Sequence, residues 1–454
     1  MRRKIYERLL EWKRKSKGTT ALLLAGARRV GKSYIVEEFA RKEYKTCIII
    51  DFNSVTTDII ELFENHLAEL DVFFSRLSLF TGVALHERET LIVFDEVQLY
   101  PRARAAIKYL VKDGRYDYIE TGSLVSIREN VQDIVIPSEE CQLELNPMDF
   151  EEFLWASGNS ELMDFIRESF HAKNSVGQLL HRKAMDLFRQ YIAVGGMPQV
   201  VEKYFKTLDF MEADEIKRNI IRLYKNDMRK YGKGYALKIE DIFAEIPSQL
   251  QRHERKFRLS DLQENARMRS YENAFLWLQD ARVVNIAFNT TEPSLGVKMN
   301  LERTTLKCYM GDTGLLVSHA FDVAFLRSNE IYRKLLTGKY DINLGMIMEN
   351  VVAQMFVAAG HSLYFYSNTS SPDRNSRMEI DFLMAKEQLT NRHNVLPIEV
   401  KSGKKYTIGS LRKFIEKYPE QLYTPYVIHD GDFYTKEGIC YIPLYMTPAL
   451  LERE

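Results

Sequence analysis

An α/β fold centred on a parallel sheet is the architecture that residues 1–155 predict, and three observations carry it. Residues 26–33 read Gly26-Ala27-Arg28-Arg29-Val30-Gly31-Lys32-Ser33, a complete GxxxxGK(S/T) string between an apolar run at 20–24 and a helical pattern at 34–39. Further apolar runs at 46–50 and 90–94 are continuous rather than alternating, as strands buried on both faces are. Helical stretches separate the runs, and strands alternating with helices give a parallel sheet covered on both sides.

Each element then has its own chemistry. Glycines let the loop backbone wrap closely, so that amide N–H groups point at a phosphate chain, and the following helix adds the positive end of its dipole. Lys32 is placed to neutralise β- and γ-phosphates, and the Ser33 hydroxyl to hold Mg²⁺. Gly26 to Ser33 together with Tyr34 form the expected nucleotide-binding set. The run at 90–94 ends in Asp95-Glu96: Asp95 is expected to hold Mg²⁺ through water and Glu96 to polarise the attacking water. The alternative is a strand that closes in a solvated acidic turn. A strand at 116–120 leads into Thr121-Gly122-Ser123, where Ser123, preferred to Thr121, is the expected γ-phosphate sensor; a loop of ordinary turn formers is the alternative. These residues all fall at the carboxyl ends of strands, where ligands of parallel sheets sit. The cationic finger of such a site stays open between Arg28, Arg29, Arg128 and an arginine of a neighbouring subunit.

Composition narrows the class. A chain of 454 residues is too long for one ordinary core, so about two to four domains are expected. Hydrophobic residues make up 45% and charged residues 28%, which suits a folded chain in water. Lys+Arg and Asp+Glu both number 63, so no global field draws nucleic acid, and any contact with DNA must come from local patches. Cys47, Cys141, Cys308 and Cys440 are widely spaced, without a CxxC pair, and read as reduced thiols of a cytoplasmic protein. Residues 1–8 are basic but lead into a charged amphipathic helix rather than a signal peptide. No apolar stretch approaches the roughly 20 residues needed to span a bilayer, so no membrane partner is expected.

The order GARRVGKS, LIVFDEVQ, YIETGS and then residues 145–154 resembles the prokaryotic AAA-type P-loop ATPases related to the STAND group. In that group an AAA_14-like N-terminal domain precedes a DUF4143-like C-terminal region. Two later stretches fit the same resemblance: 191–198, with Gly195-Gly196-Met197-Pro198, and 307–316, with Asp312-Thr313-Gly314-Leu315-Leu316. The resemblance covers nearly the whole chain. It implies an AAA/RecA-like core that binds and hydrolyses ATP with Mg²⁺, without implying one cellular role.

Residues 156–232 are helical in pattern, and Gly195-Gly196-Met197-Pro198 cannot continue a helix. They are expected to form a helical lid hinged at this turn, with a plain packing helix as the alternative. Residues 233–325 look like a winged helix. A helix is expected at 239–250, a second capped by Ser260, a third at 270–280, and wing strands at 283–288 and 306–310. Arg267, Arg269, Asn273 and Arg282 are its candidate DNA contacts; the alternative is a module that packs between domains or binds protein.

Residues 326–454 form the last expected domain. Glu349 lies on an amphipathic helix, Asp381 on a strand between apolar neighbours, and Glu399 and Lys401 share one face of a second strand by period two. This Asp…Glu-x-Lys pattern with an upstream helical Glu resembles the PD-(D/E)xK nuclease core. The resemblance implies that Asp381 and Glu399 hold Mg²⁺ with Glu349 as auxiliary ligand, and that Lys401 activates water. The basic turn 401–405 would grip a phosphate backbone. Ile380 stands where the pattern's proline would be. Two functions follow from the sequence: an ATPase coupled to nucleic-acid binding and Mg²⁺-dependent DNA cleavage, or a STAND-like ATP/ADP switch. The switch would change its homo-oligomeric state or bind a protein partner through a non-cleaving C-terminal domain.

Overall fold

The structure is a computed structural model. It describes all residues except 125–137, 253, 295–296, 322–329, 338–344, 370–372, 374–375, 387–391, 404 and 453–454. Arg128 and Lys404 therefore lie outside the described residues. The chain divides into two compact units, Met1–Asn146 with Asp280–Arg282, and Pro147–Gln279 with Val283–Glu454.

The first unit is built on five parallel strands, β1 (Ala21–Ala25), β2 (Thr46–Asp51), β3 (Thr90–Asp95), β4 (Asp117–Gly122) and β5 (Glu140–Glu144). Their order is β2-β3-β4-β1-β5, which puts β1 and the carboxylate-bearing β3 on either side of β4. All five residues of β1 are buried, as its unbroken Ala-Leu-Leu-Leu-Ala run requires. Among the described residues its α-helices are α1 (Ile5–Ser16), α2 (Lys32–Glu43), α3 (Thr57–Asn65), α4 (Leu70–Thr81) and α5 (Pro101–Asp113). The amphipathic α1 buries Ile5, Leu9 and Trp12. Proline opens α5, where its missing N–H costs nothing, and Gly114 closes it at φ +79°. Phe52, Phe63, Phe73, Phe94 and Tyr118 anchor one core of the unit. Each such side chain, fully buried, contributes about 1.5–3 kcal/mol.

The second unit opens with α6 (Phe150–Ala156), held by a reciprocal Asp149–Glu152 capping box. It continues through α7 (Glu161–His171), α8 (Gln178–Val194), α9 (Pro198–Thr207), α10 (Phe210–Tyr231), α11 (Ala236–Gln251) and α12 (Met268–Asp280). The antiparallel hairpin β6 (Val284–Thr290) and β7 (Leu301–Met310) follows, then α13 (Thr313–Ala320), α14 (Glu330–Thr337) and α15 (Gly345–Ala358). Strands β8 (Leu363–Ser367) and β9 (Glu379–Ile380) join the hairpin in one sheet, ordered β7-β6-β8-β9. A second sheet contains β10 (Phe382–Ala385), β11 (Val395–Val400), β12 (Tyr426–His429), β13 (Tyr434–Lys436) and β14 (Ile439–Pro443), ordered β10-β11-β12-β14-β13. Helices α16 (Gly409–Lys417) and α17 (Thr447–Leu451) complete it.

Several expectations change here. Ser260 caps no α-helix: residues 259–261 make one 3-10 turn, because Gln249 and Arg252 take the Asp261 carboxylate and Asn265 turns left-handed at φ +61°. The expected wing does not stand free, since β6 also pairs in parallel with β8. The α15 helix is not amphipathic. Every residue from Met346 to Phe356 is buried, so its polar Glu349, Asn350 and Gln354 must find partners inside.

The Gly195-Gly196 turn is not free to act as a hinge within its unit. Gly196 N–H donates to Asp312 Oδ2 at 2.6 Å, and Met148 N–H donates to Gly196 O at 2.6 Å. A Cβ on Gly196 would strike the Met148 backbone, and one on Gly314 would strike Val194 and Gly195. Asp312 in turn caps α13 through Leu315 N–H. The two glycine-bearing motifs are thus one locked junction, and Gln354 braces it through Thr313 and Tyr191.

Candidate functional site

The loop after β1 rises into α2 with Gly31 at φ +96°, which glycine tolerates at no steric cost, and with Arg29 also left-handed at φ +69°. It leaves Lys32 buried, its Nζ donating to Gly26 O at 2.9 Å and Ala27 O at 3.0 Å. Burial pushes the Lys32 ammonium down to about 8, against the pull of Glu96 and Asp95. Arg28 is half-buried, while Arg29 and Tyr34 are exposed. Val30 packs fully buried beneath the loop, and Arg3 donates to its carbonyl at 3.1 Å.

Ser33 Oγ donates to Asp95 Oδ2 at 2.9 Å, so the loop and the end of β3 meet. The other Asp95 oxygen accepts from the Thr121 hydroxyl and, at 3.1 Å, from Glu96 N–H. Glu96 sits left-handed at φ +53°, a conformation that costs a non-glycine residue energy and recurs at functional sites. Gln98 donates to its carboxylate, and Ser123 Oγ lies 3.5 Å from the same oxygen. The structure therefore gathers Lys32, Ser33, Asp95, Glu96 and Ser123 at one place. Thr121, set second to Ser123 in the sequence, is the residue bonded to Asp95, and Gln98 and Arg3 were given no role from the sequence. These donors fit a nucleotide with a divalent cation: an ammonium on loop carbonyls, and a hydroxyl and a carboxylate 2.9 Å apart.

The C-terminal set also converges, with different partners. Strands β10 and β11 pair antiparallel, and Asp381 Oδ2 accepts from Val400 N–H at 2.9 Å. Lys401 Nζ lies 2.7 Å from Glu399 Oε2. Burial pushes the Glu399 carboxyl up to about 7. Burial also raises Asp381, but Lys307, Lys401 and Arg255 outweigh it and hold this carboxyl below its usual range.

Glu349 is wholly buried and is met by Arg255, by the Tyr309 hydroxyl and by Lys307 Nζ at 3.0 Å. The same Lys307 Nζ lies 2.9 Å from Glu379 and 3.7 Å from Asp381. An ammonium thus stands among the carboxylates, and the Glu349 set does not fit a metal ion. Among the described residues no three His, Cys, Asp or Glu side chains are grouped to hold one. Lys307 is the residue that sequence reasoning missed. Its signal was period two on β7, which sets Lys307 and Tyr309 on one face.

The candidate DNA contacts scatter in role. Arg267 and Arg269 are exposed, Asn273 donates to the Tyr235 hydroxyl at 2.8 Å, and Arg282 is ion-paired with Glu144. Among the described residues no helix is long and apolar enough to cross a membrane.

In comparison with known families, residues 18–154 match the model of the family described as AAA domain. Residues 185–324 match a domain of unknown function, DUF8612, and residues 344–446 another, DUF4143. Among solved structures, the Walker-type ATPase PABY2304 of Pyrococcus abyssi is 15% identical over 70% of this chain and 96% of that one, with a TM-score of 0.42. The Aeropyrum pernix ORC1 protein, solved in complex with DNA, is 10% identical over 72% and 95%, with a TM-score of 0.28. Drosophila ORC bound to DNA is 15% identical over 74% and 95%, with a TM-score of 0.26. Scores this low decide nothing about activity or ligand. A search of curated proteins finds no match.

Proposed function

Since the first unit carries a AAA-type P-loop ATPase domain, we propose that the chain is an ATP-hydrolysing switch whose second unit binds a partner rather than cutting nucleic acid. The observation that carries the ATPase is the meeting of Ser33 and Asp95 at 2.9 Å beside the buried Lys32. When bound, ATP supplies the phosphoanhydride to be cleaved and Mg²⁺ the charge that polarises its oxygens. The chain's own residues do the rest. Gly26, Ala27, Arg28, Arg29, Val30 and Gly31 present backbone N–H groups, and Tyr34 borders the opening. Lys32 exchanges its carbonyl partners for phosphate oxygens. Ser33 and Asp95 hold the cation, and Thr121 fixes the Asp95 rotamer. Glu96, steadied by Gln98, accepts the proton of the attacking water, and Ser123 reports on the γ-phosphate.

The non-cleaving part of this reading is supported by Lys307 and Arg255, which already neutralise the buried Glu349. A second reading, Mg²⁺-dependent cleavage of DNA, is favoured by the approach of Asp381, just before β10, to Glu399 on β11 and Lys401 just after it. Plasmid and single-stranded DNA incubated with Mg²⁺ or Mn²⁺ stay intact on the first reading. Cleavage that disappears in Asp381→Ala establishes the second. For the ATPase, Lys32→Ala is expected to lose at least a thousandfold in ATP affinity, on the order of 4 kcal/mol, measured by titration with a fluorescent nucleotide. Unchanged affinity refutes the site. A change of mass between ADP and ATP states, read by light scattering, distinguishes a self-assembling switch from one that recruits another protein.

A further inference from the structure

We infer that Lys307 is the resident cation of the C-terminal carboxylate cluster, a covalently attached ammonium that takes the place of a divalent ion and excludes one. The inference deepens the non-cleaving reading of the second unit and rests on it only for its functional meaning.

The geometry is that of a cation site with the cation supplied by the chain. Lys307 reaches in from β7, and its side chain is 0% exposed. Three carboxylates from three segments surround it: Glu349 of α15 at 3.0 Å, Glu379 of β9 at 2.9 Å, and Asp381, between β9 and β10, at 3.7 Å. An ammonium has three N–H donors and no acceptor, so it can serve one acceptor in each direction. Below it, the Phe365 ring lies 5.0 Å away and closes the site with an aromatic face. Arg255 and the Tyr309 hydroxyl complete the shell of Glu349, leaving that carboxylate no free role as a ligand.

Charge explains why such a lysine excludes a metal. A divalent ion needs oxygen donors at about 2.1 Å for Mg²⁺, and it usually binds through one or two carboxylates plus water. Here Glu349, Glu379 and Asp381 are turned on Lys307 and Glu399 is paired with Lys401, so a metal ion entering among the first three would sit against a buried ammonium. Removing the positive charge while keeping the side-chain volume therefore opens the site. The same cluster fastens the hairpin β6–β7 to α15 and to β9, which is a physical reason for the central and C-terminal segments forming one compact unit.

The test is Mn²⁺ binding by the full chain without nucleotide, counted by electron paramagnetic resonance, in an Asp95→Asn background that removes the carboxylate of the nucleotide site. The chain with Lys307 intact is expected to bind no Mn²⁺ in the micromolar range. Lys307→Met is expected to gain one Mn²⁺ with at least tenfold higher affinity, and Asp381→Asn to abolish that gain. Because Lys307→Met strands buried carboxylates, Lys307→Met with Glu349→Gln serves as a charge-balanced second variant. Its recovery of a cooperative unfolding transition supports the assignment. Mn²⁺ bound in an Asp381-dependent manner by the chain with Lys307 intact overturns it whatever the variants do, and so does a folded Lys307→Met that gains none. DNA cleavage without Mn²⁺ binding would instead sink the non-cleaving reading and leave the lysine in place.

Discussion

Asp95 and Glu349 are both carboxylates that the sequence marks for metal, and the fold treats them in opposite ways. Asp95 is half-buried and is bonded to the hydroxyls of Ser33 and Thr121 and to one backbone N–H. Hydroxyls are neutral and rotate, so each can be redirected when a stronger ligand arrives. Glu349 is wholly buried and is held by two full positive charges, Lys307 and Arg255. Those partners are fixed in the low-dielectric interior, and separating them leaves a bare charge. On the proposed ATPase reading, Asp95 keeps weak, exchangeable partners, whereas Glu349 is saturated by charged ones. Lys32 follows the first pattern, resting on two carbonyls that a phosphate chain can replace.

The largest effect that would break this comparison lies at Glu349. Glu349→Gln leaves Lys307 and Arg255 short of a buried counter-charge, and the expected loss is about 3–5 kcal/mol of stability in the second unit. Urea unfolding followed by tryptophan fluorescence measures it, with ATP affinity as the control for the first unit. A variant as stable as wild type would show that Glu349 was not saturated, and the contrast with Asp95 would fall.

Next in size is Glu96→Gln. If the partners in the first unit are exchangeable, removing the base should slow ATP hydrolysis roughly a hundredfold while leaving nucleotide affinity and stability almost unchanged. Single-turnover hydrolysis beside a binding titration separates the two. A fall in affinity equal to the fall in rate would place Glu96 among the binding residues instead.

What the sequence made legible divides along the same line. The P-loop set is local: GxxxxGK(S/T) fixes four positions within a window of eight, and Asp95-Glu96 ends an unbroken apolar run, so the expected pattern is written within short windows. The antiparallel approach of Asp381 to the strand bearing Glu399 and Lys401 was readable for the same reason. The saturating partners of Glu349 were not, because Arg255 and Lys307 lie on other elements and only tertiary packing brings them in. An upstream acidic residue on an apolar helix looks the same whether a metal or a lysine awaits it. Gly195-Gly196 misled in a related way. A hinge and a close-packed junction both need glycine, and only the Met148 and Asp312 contacts distinguish them. Ser260 carried a cap signature, but Gln249 and Arg252, which claim Asp261, are distant in sequence terms from the pattern being read.

The smallest expected effect sharpens the comparison by adding a third way to neutralise a carboxylate. Glu120, on β4 in the middle of the first sheet, is fully buried. Arg104 is committed to Glu140, with Nε and Nη2 at 3.0 and 2.9 Å from its two oxygens. Burial, and then the neighbouring Glu140, hold the Glu120 carboxyl well above its usual range, with only Arg104 opposing. The folded state therefore keeps a proton on Glu120 that the unfolded chain releases in the ordinary carboxylate range. Its contribution to stability is fully present below the unfolded value and is lost as pH rises toward and through the folded value. Glu120→Gln replaces that proton with a permanent neutral amide. The variant should match wild type near pH 4 and exceed it in stability near pH 8, with a flatter dependence between. Thermal unfolding at a series of pH values checks this. Identical slopes for the two proteins would mean that Glu120 is charged in the fold and shares Arg104 with Glu140, and the first unit would then hold a saturated carboxylate of the kind found at Glu349.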